Sequence, residues 1–136
     1  MSTDHSNVVA HGVDLVDVPR IAQIRQRHAE RFLTRVFTLQ ERDYALASRR
    51  CDEQLAARFA AKEAVMKALG TGLGDGIRWT GIEVVRDNVG CPGIELRGRA
   101  LDIARQRGIH RWLLSMSHVQ SLAMASVIGL GLPPEL

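Results

Sequence analysis

From Val8 to Val18 the chain reads Val-Val-Ala-His-Gly-Val-Asp-Leu-Val-Asp-Val, a β-branched run that predicts a first strand. A period of two places Asp14 on one face with Ala10, Gly12 and Val16, a small and apolar setting for an acid. Asp17 can then cap a helix with Pro19 in its first turn, along which Ile21, Ile24 and His28 recur at helical spacing. Phe32, Leu33, Val36 and Phe37 read as a short helical turn packed on the core. Thr38 with Glu41 three residues later forms a capping-box pattern for a helix to about Ser48. A long helix follows from about Asp52 to Leu69, rich in alanine and stopped by Gly70 and Gly72. At about 100° per residue, Leu55, Phe59, Met66 and Leu69 fall on one apolar stripe. Lys62 lies inside that stripe and Glu63 on its edge, one turn before Lys67.

The second half alternates differently. After a Gly-rich link from Gly70 to Gly76, Ile82 to Val85 and Ile94 to Leu96 flank Asn88-Val89-Gly90-Cys91-Pro92-Gly93, which predicts a hairpin. Gly98 to Gly108 carries Leu101, Ile103 and Ala104 in a helical setting. Two further strands, Trp112–His118 and Leu122–Ile128, are joined by a tight turn, and the second is apolar on both faces, as a central strand would be. Pro133-Pro134 is expected to stop the structure. No repeat or linker divides the chain, so residues 1–136 are read as a single domain, with 1–7 and 131–136 as peripheral tails. The order β, several α, hairpin, α, hairpin predicts an α+β fold, a mostly antiparallel sheet with helices packed on one side.

Composition sharpens this picture only in places. At 136 residues, 46% hydrophobic and 24% charged, the chain can bury its own core. Residues 1–7 lack the charge and apolar run of a signal peptide, and no apolar stretch is long enough to span a membrane. A cytoplasmic protein is expected. Cys51 and Cys91 fit no metal spacing and are read as free thiols. The net charge of +3 matters through its distribution: Arg20, Arg25, Arg27, Arg31 and Arg35 are opposed over that stretch only by Glu30. Such a segment is either a solvated helix face or a dock for an acidic partner. Six aromatics in all give little support to nucleic-acid stacking.

The candidate chemistry begins with the two acids. Glu63 and Lys67 can form an ordinary i,i+4 surface pair, contributing about 0.2–0.5 kcal/mol. Asp14 is harder to dismiss, because a buried carboxylate requires a cation, a donor or a ligand nearby. One divalent ion could serve both acids, since Mg²⁺ takes one or two protein carboxylates and fills its shell with water and phosphate oxygens. Neighbouring lysines would then suit phosphates.

Gly12-Val13-Asp14-Leu15-Val16-Asp17-Val18-Pro19-Arg20-Ile21 resembles the opening motif of the holo-[acyl-carrier-protein] synthases, the short 4'-phosphopantetheinyl transferases. Arg58-Phe59-Ala60-Ala61-Lys62-Glu63-Ala64, continued by Lys67-Ala68-Leu69-Gly70-Thr71-Gly72, is similar to their second signature. Arg35 to Glu41 resembles the motif between, and Ser117-His118 stands where the family often has Ser-His-Thr. The resemblance runs from about residue 9 to 129. It implies an enzyme of fatty acid or related lipid biosynthesis that moves phosphopantetheine from coenzyme A to a serine of apo acyl carrier protein, releasing adenosine 3',5'-bisphosphate. Mg²⁺ would be held by Asp14 and Glu63. Lys62, Lys67, Gly70, Gly72, Ser117 and His118 would face coenzyme A, with Glu63, Lys67 and His118 as catalytic groups, and the general base would be Glu63, a metal-held water or His118. Arg20 and Arg25 would meet the acidic carrier protein, and the enzyme would be a homotrimer with active sites between subunits. Val119 replaces a common threonine, Cys91 a common lysine and Gly81 a frequent aspartate.

Overall fold

The structure, a computed structural model, describes residues 7–132. The chain runs β1 (Val8–Asp17), α1 (Val18–Val36), α2 (Leu39–Leu46), α3 (Cys51–Leu69), two 3₁₀ turns (Leu73–Asp75 and Trp79–Gly81), β2 (Ile82–Arg86), β3 (Pro92–Leu96), α4 (Gly98–Gln106), β4 (Arg111–His118) and β5 (Leu122–Leu130). All strand pairings are antiparallel, as the α+β reading expects. They divide into a three-stranded sheet of order β1-β5-β4 and a separate β2-β3 hairpin. The apolar β5 is the central strand, and the register sets Asp14 opposite Ala125. Asn7 and Gly131, expected as tail residues, are instead joined by a backbone hydrogen bond of 2.7 Å beyond the β1-β5 ladder. The remaining tail positions and the Pro133-Pro134 stop lie outside the described residues.

Helix α3 is the organising element. The sequence pattern predicts one apolar stripe, whereas the structure covers the helix nearly all round: twelve of its residues, from Leu55 to Leu69, are buried. It lies across β1 and β5 and is flanked by α1, α2 and β2. Its run of alanines explains the difference, because small side chains let neighbouring backbones approach on every side. Gly12 marks the closest approach, where a Cβ would overlap the carbonyl oxygen of Ala64. Gly70 ends the helix at φ 68°, in the left-handed region that glycine tolerates best, and its N–H closes back on the Lys67 and Met66 carbonyls.

The helices before it follow the predicted signals with two departures. Asp17 occupies the N-cap of α1, but its side chain makes no capping bond. The predicted helix and the following helical turn form one element, kinked at His28 (φ −139°, ψ 41°). Thr38 and Glu41 make the capping box of α2, which ends at Leu46. In the β2-β3 hairpin, Asp87 Oδ1 accepts from the Val89 and Cys91 N–H groups, both at 2.9 Å, fixing the turn. Both cysteines are free.

Candidate functional site

Period two on β1 and the C-terminal half of α3 bring Asp14, Glu63 and Lys67 together. Asp14 stands on the helix-facing side of β1, with Gly12 and Val16 buried on either side. Lys67 Nζ donates to Asp14 Oδ1 at 2.8 Å and to the Val13 carbonyl at 3.1 Å. The simple Glu63–Lys67 surface pair is therefore not what forms: the lysine spans from helix to strand. Glu63 is half-buried beside them. Burial pushes its carboxyl above the ordinary range, the Asp14 charge adds to this, and Lys67 opposes it. A carboxyl whose proton affinity is raised by a neighbouring carboxylate marks a place where a cation is favoured.

The donor set fits a small hard divalent ion. Two carboxylate side chains converge from separate elements, and among the described residues no group of three or more His, Cys, Asp or Glu side chains could hold an ion. That count suits Mg²⁺, which keeps several waters and leaves positions for phosphate oxygens. Lys67, with its side chain 55% exposed, can swing from Asp14 to a phosphate at little cost.

Lys62 is a correction. Its side chain is fully buried and pairs with Glu41 at 2.8 Å. Its ammonium also donates to the carbonyls of Trp79 (3.0 Å) and Ile82. Burial lowers its pKa, while Glu41 and Glu83 oppose the shift. It is an internal strut tying α3 to α2 and β2, and does not reach a ligand. The helical wheel predicts the burial correctly but cannot supply the partner. Glu41 was legible only as a capping residue.

His118 and Ser117 lie elsewhere. On β4 they alternate, so His118 packs inward and Ser117 faces out on the opposite side. His118 Nδ1 meets Glu53 Oε1 at 2.8 Å, near the start of α3. Glu53 and Glu63 are ten residues apart on one helix, a rise of about 15 Å. Within one chain His118 therefore does not join the acid pair. Gly70 and Gly72 begin the loop that leaves the Lys67 end of the helix, and a Cβ on Gly72 would meet nothing within 4 Å.

Near Glu53 a cavity of about 380 Å³ is lined by Arg25, Arg49, Arg50, Asp52 and Gln120, among others. Arg25 is held by Asp52 through two hydrogen bonds of 2.6 and 3.2 Å, so its charge is largely met within the chain and it is not a free docking residue. Arg20 is exposed, as are Arg27, Arg31 and Arg35. Arg49 and Arg50 were missed from sequence. Adjacent arginines at a helix start carry no periodic signal, and only tertiary packing sets them around one cavity with Arg25 and Gln120.

An α+β fold with one carboxylate from a strand and one from a helix, an exposed lysine and a basic cavity along one central helix suits the handling of phosphate groups. Residues 10–125 match the family described as the 4'-phosphopantetheinyl transferase superfamily. The holo-[acyl-carrier-protein] synthase of Koribacter versatilis is 46% identical over 121 residues, covering 89% of this chain and 97% of that protein. The crystal structure of the Neisseria meningitidis holo-[acyl-carrier-protein] synthase superposes with a TM-score of 0.79 at 32% identity, covering 90% of this chain and 98% of that one. The Bacillus anthracis holo-(acyl-carrier-protein) synthase, solved in complex with CoA (3',5'-ADP), gives a TM-score of 0.74 at 32% identity over 91% of this chain and 97% of that one. The chain belongs to this superfamily and, within it, to the holo-[acyl-carrier-protein] synthases.

Proposed function

We propose that the protein transfers 4'-phosphopantetheine from coenzyme A to a serine hydroxyl of an apo acyl carrier protein, with Mg²⁺ held by Asp14 and Glu63. The observation that carries this is the convergence of Asp14, Glu63 and Lys67 beside α3 in a chain whose relative from Bacillus anthracis was solved with CoA (3',5'-ADP). The serine oxygen bonds to the β-phosphorus as the bond to adenosine 3',5'-bisphosphate breaks. The ion, when bound, would neutralise charge on the pyrophosphate. Lys67, released from Asp14, pairs with a phosphate oxygen, and Glu63 is placed to accept the serine proton directly or through a water. His118, Arg49 and Arg50, half a helix away, suit a phosphate of coenzyme A remote from the transferred group. Arg20 and the exposed arginines of α1 receive the acidic carrier.

The working form is a homotrimer with active sites between subunits. Supporting this, the sheet face turned away from α3 exposes Val13 (43%), Leu15 (66%), Leu113 (42%) and Leu122 (46%), apolar side chains of the kind that a subunit interface covers. A cytoplasmic setting and a place in fatty acid biosynthesis complete the proposal; among the described residues no helix is long and apolar enough to cross a membrane.

Mass spectrometry of an apo carrier protein after incubation with the protein, coenzyme A and Mg²⁺ tests the reading. One phosphopantetheine is expected on the carrier, and Asp14→Ala and Glu63→Ala are expected to abolish it with the circular dichroism unchanged. Coenzyme A cleavage without transfer would instead mark a hydrolase, and an unmodified carrier across a panel of carriers would overturn the transferase.

A further inference from the structure

Arg58 lies one turn before Lys62 on α3, and its residue is only 2% exposed. Its Nη1 donates to the Gln54 carbonyl at 3.3 Å and to Gln54 Oε1 at 2.8 Å, both neutral acceptors. Its Nε, shielded from solvent, has no partner. The acid on that side, Glu41, is paired with Lys62 and makes no hydrogen bond to Arg58. Its Oε1 is taken by Lys62 at 2.8 Å and the Thr38 N–H at 2.9 Å, and its Oε2 by the Val84 N–H at 2.9 Å. A guanidinium keeps its proton, so α3 holds a desolvated cation with no ion-pair partner among the described residues.

A second cation stands beside it. The Tyr44 ring lies 4.4 Å from Arg58 Cζ and 4.5 Å from Arg86 Cζ, so one aromatic ring carries two guanidinium groups. Arg86 is steadied by a 2.6 Å bond from Nη1 to the Gly90 carbonyl. Burial lowers the Arg58 pKa and the charge of Arg86 lowers it further, while Tyr44 and Glu41 oppose the shift without cancelling it. Arg58, Arg86, Tyr44, Gln40 and Glu41 help to line a cavity of about 230 Å³, space for a small anion with its waters. The cavity lies on the α2 and β2 side of α3, whereas Asp14 and Glu63 meet on the β1 side.

We propose that this cavity is a binding site for a small tetrahedral oxyanion of the inorganic phosphate class, held by Arg58 and Arg86 with Tyr44 and Gln40 as hydrogen-bonding groups. Bidentate guanidinium donors suit such an ion, and its charge supplies the counter-charge that Glu41 cannot. The site is separate from the proposed transferase site and stands or falls apart from it.

Thermal unfolding of the intact protein in rising phosphate, at ionic strength held constant with chloride, tests the site. A saturable rise of a few degrees is expected for the wild type. In an Arg49→Ala/Arg50→Ala background, which removes the arginines assigned above to a coenzyme A phosphate, a rise should remain, and it should vanish when Arg86→Ala, at an exposed position whose loss leaves the core intact, is added. Crystals soaked in tungstate should show anomalous density between Arg58 and Arg86. In that background, a rise that survives Arg86→Ala, or none beyond the chloride control, would each overturn the proposal, as would tungstate bound only elsewhere.

Discussion

Two lysines five residues apart on α3 meet opposite fates, and the contrast shows what each is for. Lys62 is sealed against Glu41, while Lys67 reaches Asp14 from a half-exposed position. Removing one partner of a buried pair leaves the other charge stranded, so Lys62→Ala should cost about 3–5 kcal/mol in urea unfolding. The exposed pair contributes little to folding, so Lys67→Ala should leave the urea midpoint close to the wild-type value. Its effect should fall on turnover instead, lowering kcat by about 10²–10³-fold if it neutralises charge in the transition state. The reverse pattern, a stable Lys62→Ala and an active Lys67→Ala, would exchange the two roles. Glu83 adds a pH dependence. Burial alone would raise its carboxyl, but hydrogen bonds from Thr38 and Arg97 outweigh this and hold it below the ordinary range. The stability it contributes is therefore present above the unfolded value of 4.5 and is lost as pH falls through the lower folded one. Unfolding followed from pH 6 to pH 3 should show a smaller loss in Glu83→Gln than in the wild type.

At the scale of elements, the decisive contact is α3 against β1, because it sets Glu63 and Lys67 beside Asp14. Gly12 permits it. Gly12→Ala would drive a methyl group into the Ala64 carbonyl, where backbone cannot step aside as a flexible side chain would. A loss of about 1–3 kcal/mol or more is expected, with helix and strand forced apart. If the acid pair depends on that spacing, Mg²⁺-dependent stabilisation in melting curves should weaken as well; a variant with wild-type stability and wild-type response to Mg²⁺ would show that the contact has slack. Most elements were legible in sequence because their signals are local: the Thr38–Glu41 capping box, the left-handed Gly70, the alternation in β1. Asp14 was legible as an anomalous acid on an apolar face for the same reason. What could not be read were pairings between distant segments. Lys62 with Glu41, His118 with Glu53 and Arg25 with Asp52 each join two elements, and no periodicity encodes which charged residue will face which. The split into two sheets escaped for the same cause, since strand order is a property of the assembled core.

At the scale of the whole molecule, β1 has two faces with separate duties. Its inner face gives Asp14 to the acid pair, and its outer face offers Val13 and Leu15 to solvent beside Leu113 and Leu122. An isolated chain has little reason to keep such a surface apolar, whereas a copy of itself would bury it. Leu15→Glu places a charge at the most exposed of the four positions, where a lone chain would tolerate it within about 0.5 kcal/mol. Sedimentation at micromolar concentration should therefore show a trimer for the wild type and a folded monomer for the variant. The transfer assay then separates assembly from chemistry. Asp14 and Glu63 remain in place in the monomer, so a site complete within one chain would keep its activity, and a site shared between subunits would lose it together with the trimer. Activity that returns at high protein concentration, in step with reassociation, would tie the acid pair of one chain to a surface of the next. A wild type that sediments as a monomer at full activity would instead require another occupant for the sheet face.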